Sequence, residues 1–154
     1  MPEGGSLARR YRRIEAQLAD LFAGRLDPLA RMATAAALLH HKMPRFSWTG
    51  FYRVLDGDLV VGPYQGPLAC AVLPGREGVC WAGVMRGEPV IVPDVREFEG
   101  HVECDSRSRS EIVVPVRDAA GETVAVLDVD SRDIGAFGEE DAEGLGRICE
   151  MIYS

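Results

Sequence analysis

The sequence predicts an α+β fold, and three observations carry that reading. Apolar residues recur at helical spacing near both ends, whereas the middle of the chain runs at a period of two. The middle is also cut by Asp56-Gly57 and by further glycines, the chemistry of hairpin turns. Finally, 154 residues with 47% hydrophobic and 27% charged content have the size and composition of one ordinary domain. We expect a single domain over residues 1–154, with a central antiparallel sheet of five or six strands flanked by helices.

Residues 1–10 are read as a candidate disordered tail, overlapping the start of the first helix. That helix, Leu7 to Phe22, places Leu7, Tyr11, Ile14, Leu18 and Leu21 on one face and leaves Arg9, Arg10, Arg12 and Arg13 mostly in water. Gly24 ends it. Asp27 followed by Pro28 is a capping acid before a first-turn proline, so a second helix runs to about His41 and stops at Pro44. Trp48 to Val54 and Asp58 to Pro63 form a hairpin about Asp56-Gly57. Leu68 to Leu73 reads as a third short strand, Val79 to Met85 as a short helix and Pro89 to Val92 as another strand. Ser110 to Arg117 and Thr123 to Asp130 are strands joined around Gly121, and Gly138 to Ile152 closes the chain as an amphipathic helix. Between them, Pro93 to Arg109 is charged and aperiodic. A loop of 17 residues is long enough that a compact domain keeps it for function.

Charge and hydropathy exclude several classes. The 24 acidic against 17 basic residues give a net charge of −7, which disfavours a grip on nucleic acid. No stretch approaches the roughly 20 apolar residues that cross a bilayer, and Met1 to Ser6 lacks the pattern of a secretion signal. A cytoplasmic protein is expected, and a reducing compartment turns the four cysteines toward free thiols, metal ligation or redox chemistry.

Cys70, Cys80 and Cys104 are 10 and 24 residues apart, with no Cys-x-x-Cys, so a structural zinc site is not expected. A free cysteine is most often a small buried hydrophobe. Cys149, on the apolar face of the last helix, fits that description. Cys104 does not: it lies between Glu103 and Asp105 in the polar loop, with His101, Arg107 and Arg109 nearby, which suits a reactive thiol. Cys80 opens a helix, whose positive end favours thiolate. Cys70 has strand neighbours that suit a core as well as chemistry.

Glu111 opens an apolar strand, and Asp128 and Asp130 share one face of the last strand. They make either a solvated face or a pocket of carboxylates whose repulsion and burial would keep a proton available. Trp48 and Tyr52, also on one strand face, are either ordinary core aromatics or the wall of such a pocket.

Taken together, Trp48-Thr49-Gly50-Phe51-Tyr52, Gly62-Pro63-Tyr64-Gln65-Gly66, Ala69-Cys70, Gly78-Val79-Cys80, Asp94-Val95, Gly100 through Asp105, Ser110-Glu111-Ile112-Val113 and Gly121 through Ser131 resemble the free methionine-(R)-sulfoxide reductases, which are GAF-domain proteins. The resemblance spans about Tyr11 to Ile152. Glu103 stands where a small residue is expected, and Arg107 and Arg109 replace smaller or neutral ones.

The resemblance implies a GAF fold with the substrate beneath the loop that carries Cys104. It implies Cys104 as nucleophile, Cys70 as principal resolving cysteine and Cys80 as a third that resolves or relays. Glu111, Asp128 and Asp130 would hold the substrate, Glu111 and Asp130 also serving catalysis, with Trp48 and Tyr52 as the aromatic wall. Implied partners are free methionine (R)-sulfoxide and thioredoxin or a similar dithiol, with a homodimer also open and no cofactor or metal. Two rivals remain at this level: a GAF module that senses a small ligand without turnover, and a thiol-based redox sensor or peroxidase. The lack of an output domain and the acid cluster speak against a phosphate-sensing module. The peroxidase reading leaves the acids and aromatics without a task.

Overall fold

The computed structural model describes residues 2–24, 27–102 and 104–154, so Glu103 lies outside the described residues. Helix α1 spans Pro2–Phe22, α2 Pro28–Lys42, α3 Val79–Arg86 and α4 Glu139–Met151. Strands β1 (Trp48–Leu55), β2 (Asp58–Gln65), β3 (Val90–Val92), β4 (Ser110–Arg117) and β5 (Thr123–Ser131) form one sheet in the order β2-β1-β5-β4-β3, every neighbouring pair antiparallel. The α+β expectation holds, with five strands.

Local signals act as the sequence indicated. The Asp27 carboxylate accepts from the Ala30 N–H at 3.2 Å, with Pro28 in the first turn of α2. The β1–β2 hairpin turns on Asp56 and Gly57, both at positive φ. Pro63 is accommodated because β2 lies at the sheet edge, where a missing N–H costs no ladder bond. Helix α1 starts at Pro2, ahead of the expected Leu7. At its other end Leu21 is exposed and Phe22 is buried, because the Tyr11, Ile14, Leu18 spacing continues to position 22.

The expected strand from Leu68 to Leu73 does not form. This segment touches the outer edge of β2 through Val61 N–H to Ala71 O (2.8 Å), Leu73 N–H to Leu59 O (3.0 Å) and an isolated Val60–Val72 bridge. Its apolar residues gave it strand propensity, but the chain arches away from the ladder toward the 93–109 loop, where Cys70 is bonded.

Strand alternation divides the core into two layers. Phe51, Ile112, Val114, Val116, Leu127 and Val129 face α1, α2 and α4 and complete an apolar core that includes Tyr11, Leu18, Met32, Leu39 and Leu145. Burying such side chains is worth roughly 1.5–3 kcal/mol each. Cys149 belongs to this layer, and burial holds its thiol far above the usual range, so it is chemically inert. Across that layer the Tyr11 hydroxyl donates to Asp141 at 2.5 Å, tying α1 to α4. The opposite sheet face carries Trp48, Tyr52, Val113 and Val126, packed beneath α3 and the long loop. The polar residues of that second layer form the site.

Candidate active site

Register places three acids side by side in the middle of the sheet. Glu111 on β4 stands opposite Asp130 on β5, and Asp130 stands opposite Trp48 on β1. One step along, Asp128 pairs with Val113 and Gly50. β5 is the central strand, so a fully solvated face is not what forms: α3 and the loop cover it, leaving Glu111 and Asp128 each 6% exposed and Asp130 half-buried. Gly50 is required here, since a Cβ would come within 2.7 Å of the Trp48 ring and 2.3 Å of Tyr64 Cβ. Trp48 therefore lies flat, stacked on Tyr52 (5.9 Å between centroids) and on Tyr64 (5.1 Å).

The polar ends of the two aromatics hold the segment that bears Cys70. Trp48 Nε1 donates to Pro67 O at 3.0 Å and the Tyr52 hydroxyl to Cys70 O at 3.1 Å. From the other side, the 93–109 loop is pinned by Val95 N–H to Arg109 O and Arg109 N–H to Ser131 O, both at 2.8 Å. Gly78, at positive φ, lets the turn before α3 pass beneath the loop, because a Cβ there would reach 3.1 Å from Val102. The result is a disulfide between Cys70 and Cys104, 34 residues apart.

The disulfide closes a chamber lined by Trp48, Tyr52, Cys80, Glu111, Asp128 and Asp130. All the candidate residues named from sequence, Cys70 through its bond to Cys104, thus meet at one place. The cavity is about 40 Å³, against roughly 150 Å³ for one that accepts benzene. With the disulfide formed it suits water and not an amino acid.

Burial and mutual repulsion set the electrostatics. Glu111 is pushed up to about 8, first by burial and then by Asp130. Asp128 is raised well above the carboxylate range by burial and by Glu111, and Asp130 by burial and by Asp128. Glu111 lies within interaction range of both aspartates, and burial and mutual repulsion disfavour three ionised carboxylates at one place. A stored proton is therefore a property of the cluster as a whole.

Cys80 corrects the sequence reading. Its place at the start of α3 was expected to favour thiolate, but the thiol is raised well above its usual range by burial, then by Asp128, Glu111 and Asp130. Desolvation and nearby acids outweigh the helix end, so Cys80 stays protonated. Cys80, Glu111 and Asp128 each offer one donor atom within 4.8 Å of the others, the group best able to hold a cation among the described residues. A cation there would compete with the shared protons.

Sequence reasoning did not assign several polar lining residues to the site, among them Glu77, His101, Asp105 and Ser108. His101 Nε2 lies 3.6 Å from Glu111 Oε1, and Asp105 and Ser108 reach the same chamber from the loop. For these loop residues, proximity to Cys104 was the only available signal. The arginines expected to bias that cysteine are otherwise engaged: Arg107 Nε contacts Asp105 at 3.2 Å, and Arg109 Nη1 donates to Ser106 O and Ser108 O.

A five-stranded antiparallel sheet with a small-molecule chamber under α3 and a long loop defines a GAF domain, and the GAF domain family model matches residues 27–152. Free methionine-R-sulfoxide reductase of Escherichia coli is 39% identical over 132 residues, 86% of this chain and 79% of that protein. The Saccharomyces cerevisiae protein of the same name is 33% identical over 136 residues, 84% of this chain and 76% of its own. The X-ray structure of free methionine-R-sulfoxide reductase from Neisseria meningitidis in complex with its substrate superposes with a TM-score of 0.89 at 38% identity, covering 95% of this chain and 87% of that one. The chain belongs to the free methionine-(R)-sulfoxide reductase family of GAF-domain proteins.

Proposed function

We propose that this protein reduces free L-methionine (R)-sulfoxide to L-methionine, with Cys104 as nucleophile, Cys70 as resolving thiol and an external dithiol such as thioredoxin as reductant. The observation that carries the reading is the Cys70–Cys104 disulfide across a chamber with three carboxyls, two of them buried, and an aromatic wall.

A sulfoxide sulfur becomes electrophilic when its oxygen receives a proton, and the Glu111, Asp128, Asp130 cluster stores one. The Cys104 thiolate attacks sulfur, oxygen passes to the cysteine and methionine leaves. Sulfur of the substrate is reduced by two electrons and Cys104 is oxidised to sulfenic acid. The Cys70 thiol then displaces that oxygen as water, forming the disulfide, and two further thiols reopen it by exchange. Trp48 and Tyr52 offer the S-methyl group an apolar wall, worth on the order of 1–3 kcal/mol. The acids favour the α-ammonium that a peptide-bound residue lacks. The R preference rests on the relatives' names. A reducing compartment such as the cytoplasm suits the recycling step, and among the described residues no helix is long and apolar enough to cross a membrane.

The test is turnover of separated sulfoxide epimers with a dithiol. Methionine should appear from the free R epimer and not from the S epimer or from peptide-bound sulfoxide. Peroxide consumption without sulfoxide reduction would replace this reading with a peroxidase.

A further inference from the structure

We propose that the chamber binds a divalent ion of the zinc class through Cys80 Sγ and one carboxylate oxygen each from Glu111 and Asp128, and that this ion and the amino-acid substrate exclude one another. The metal site stands on the geometry of the chamber, whereas the exclusion rests on the substrate argued above.

Three rigid elements deliver the donors. Cys80 comes from the first turn of α3, Glu111 from β4 and Asp128 from β5. Gly83 lets α3 settle onto those strands, since a Cβ there would come within 2.6 Å of the Val113 side chain. The sulfur and the two oxygens then lie within 4.8 Å of one another, on residues only 5–6% exposed. Ligands of one tetrahedral zinc, at about 2.0 Å for oxygen and 2.3 Å for sulfur, stand roughly 3.5 Å apart, so closing on the ion takes side-chain adjustments on the order of 1 Å.

Asp128 Oδ1 points to a ligand independently, because it is buried without a hydrogen-bond partner. Asp105 Oδ2 and Ser108 Oγ share that condition in the same chamber, but both belong to the loop and stand outside the donor group. A water would satisfy the oxygens alone. The sulfur beside them is a weak hydrogen-bonding group and a strong metal ligand. With the disulfide closed, a cavity of about 40 Å³ has room for an ion and a water on its open position.

The donor set selects the metal. Magnesium and calcium take oxygen ligands, whereas one thiolate with two carboxylates suits zinc. On binding, the Cys80 S–H bond breaks, a zinc–sulfur bond forms and the proton leaves to solvent, with no electron transferred. His101 Nε2, 3.6 Å from Glu111 Oε1, is placed to orient a carboxylate that the ion uses. The ion also occupies two of the carboxyls that the proposed reaction draws on, so metal and substrate cannot be held together.

The experiment titrates the disulfide form with Co²⁺, a spectroscopic stand-in for zinc, so that Cys70 and Cys104 are not available as thiolates. Wild type should develop a thiolate-to-cobalt charge-transfer band that saturates at one ion per chain and disappears when Zn²⁺ is added. Cys149→Ser should keep the band and Cys80→Ser should lose it. Asp128→Asn, folded by circular dichroism, should lower Zn²⁺ affinity by more than about 100-fold, the upper end of what losing only a supporting group costs. In Cys70→Ser/Cys104→Ser, which cannot turn over, methionine sulfoxide should bleach the band by competition. No band in wild type, a band that survives Cys80→Ser, or unchanged affinity in folded Asp128→Asn would overturn the metal site. A band untouched by a sulfoxide that wild type does reduce would overturn the exclusion. Wild type inactive on the sulfoxide would instead overturn the substrate assignment, with the cobalt band intact.

Discussion

Glu111 and Asp130 face each other across the β4–β5 ladder, and both line the chamber. Two carboxyls so placed cannot both be ionised without strong repulsion, so the fold itself favours a proton held between them, the one the proposed chemistry draws on.

That arrangement costs stability with a defined sign. Glu111 sits at about 8 in the folded chain against its ordinary 4.5. Between those values the folded state keeps a proton that the unfolded state releases, so stability falls as pH rises through the window, by up to about 1.4 kcal/mol per pH unit per proton. Denaturant titrations of wild type from pH 5 to 8 should show this loss, and Glu111→Gln should flatten it.

The same proton shapes the rate. Turnover should decline above about pH 8 as the cluster ionises. Glu111→Gln and Asp130→Asn should lower kcat and displace that limb, with folding intact by circular dichroism. An unchanged pH profile in both would remove the cluster from proton donation.

Cys80 should not substitute for Cys70. Its thiol is held protonated by burial and three acids, so it is a poor attacking group. Cys80→Ser should still form the Cys70–Cys104 disulfide after one turnover, whereas Cys70→Ser should release methionine once and stall at sulfenic acid. Intact-protein mass after trapping with a sulfenic-acid reagent separates the cases.

The Tyr52 hydroxyl holds the segment of Cys70, the proposed resolving cysteine, through Cys70 O. Tyr52→Phe removes that bond at a cost of about 1 kcal/mol. It should slow disulfide closure more than the first release of methionine, which stopped-flow thiol loss and product release distinguish.

Much of this site was legible in the sequence because strand alternation is local: Trp48 with Tyr52, and Asp128 with Asp130, share faces by period alone. What covers that face was not legible, since it depends on how α3 and the loop pack, and so solvated and buried acids could not be told apart. Cys80 was misjudged for the same reason. A helix end is read from neighbours in sequence, whereas the acids that override it arrive from β4 and β5. Leu68 to Leu73 carries strand propensity, but two hydrogen bonds to β2 do not make a ladder. Asp105 and Ser108 sit in an aperiodic loop, where no pattern marks which side chains turn inward.

The most direct test of the central claim is a single-turnover experiment on fully reduced protein with one equivalent of free methionine (R)-sulfoxide and no external thiol, followed by non-reducing peptide mapping. The account predicts one methionine released per chain and one disulfide, joining Cys70 to Cys104, with Cys80 and Cys149 still free. Methionine release from Cys104→Ser, or a wild-type product lacking that disulfide, would contradict it.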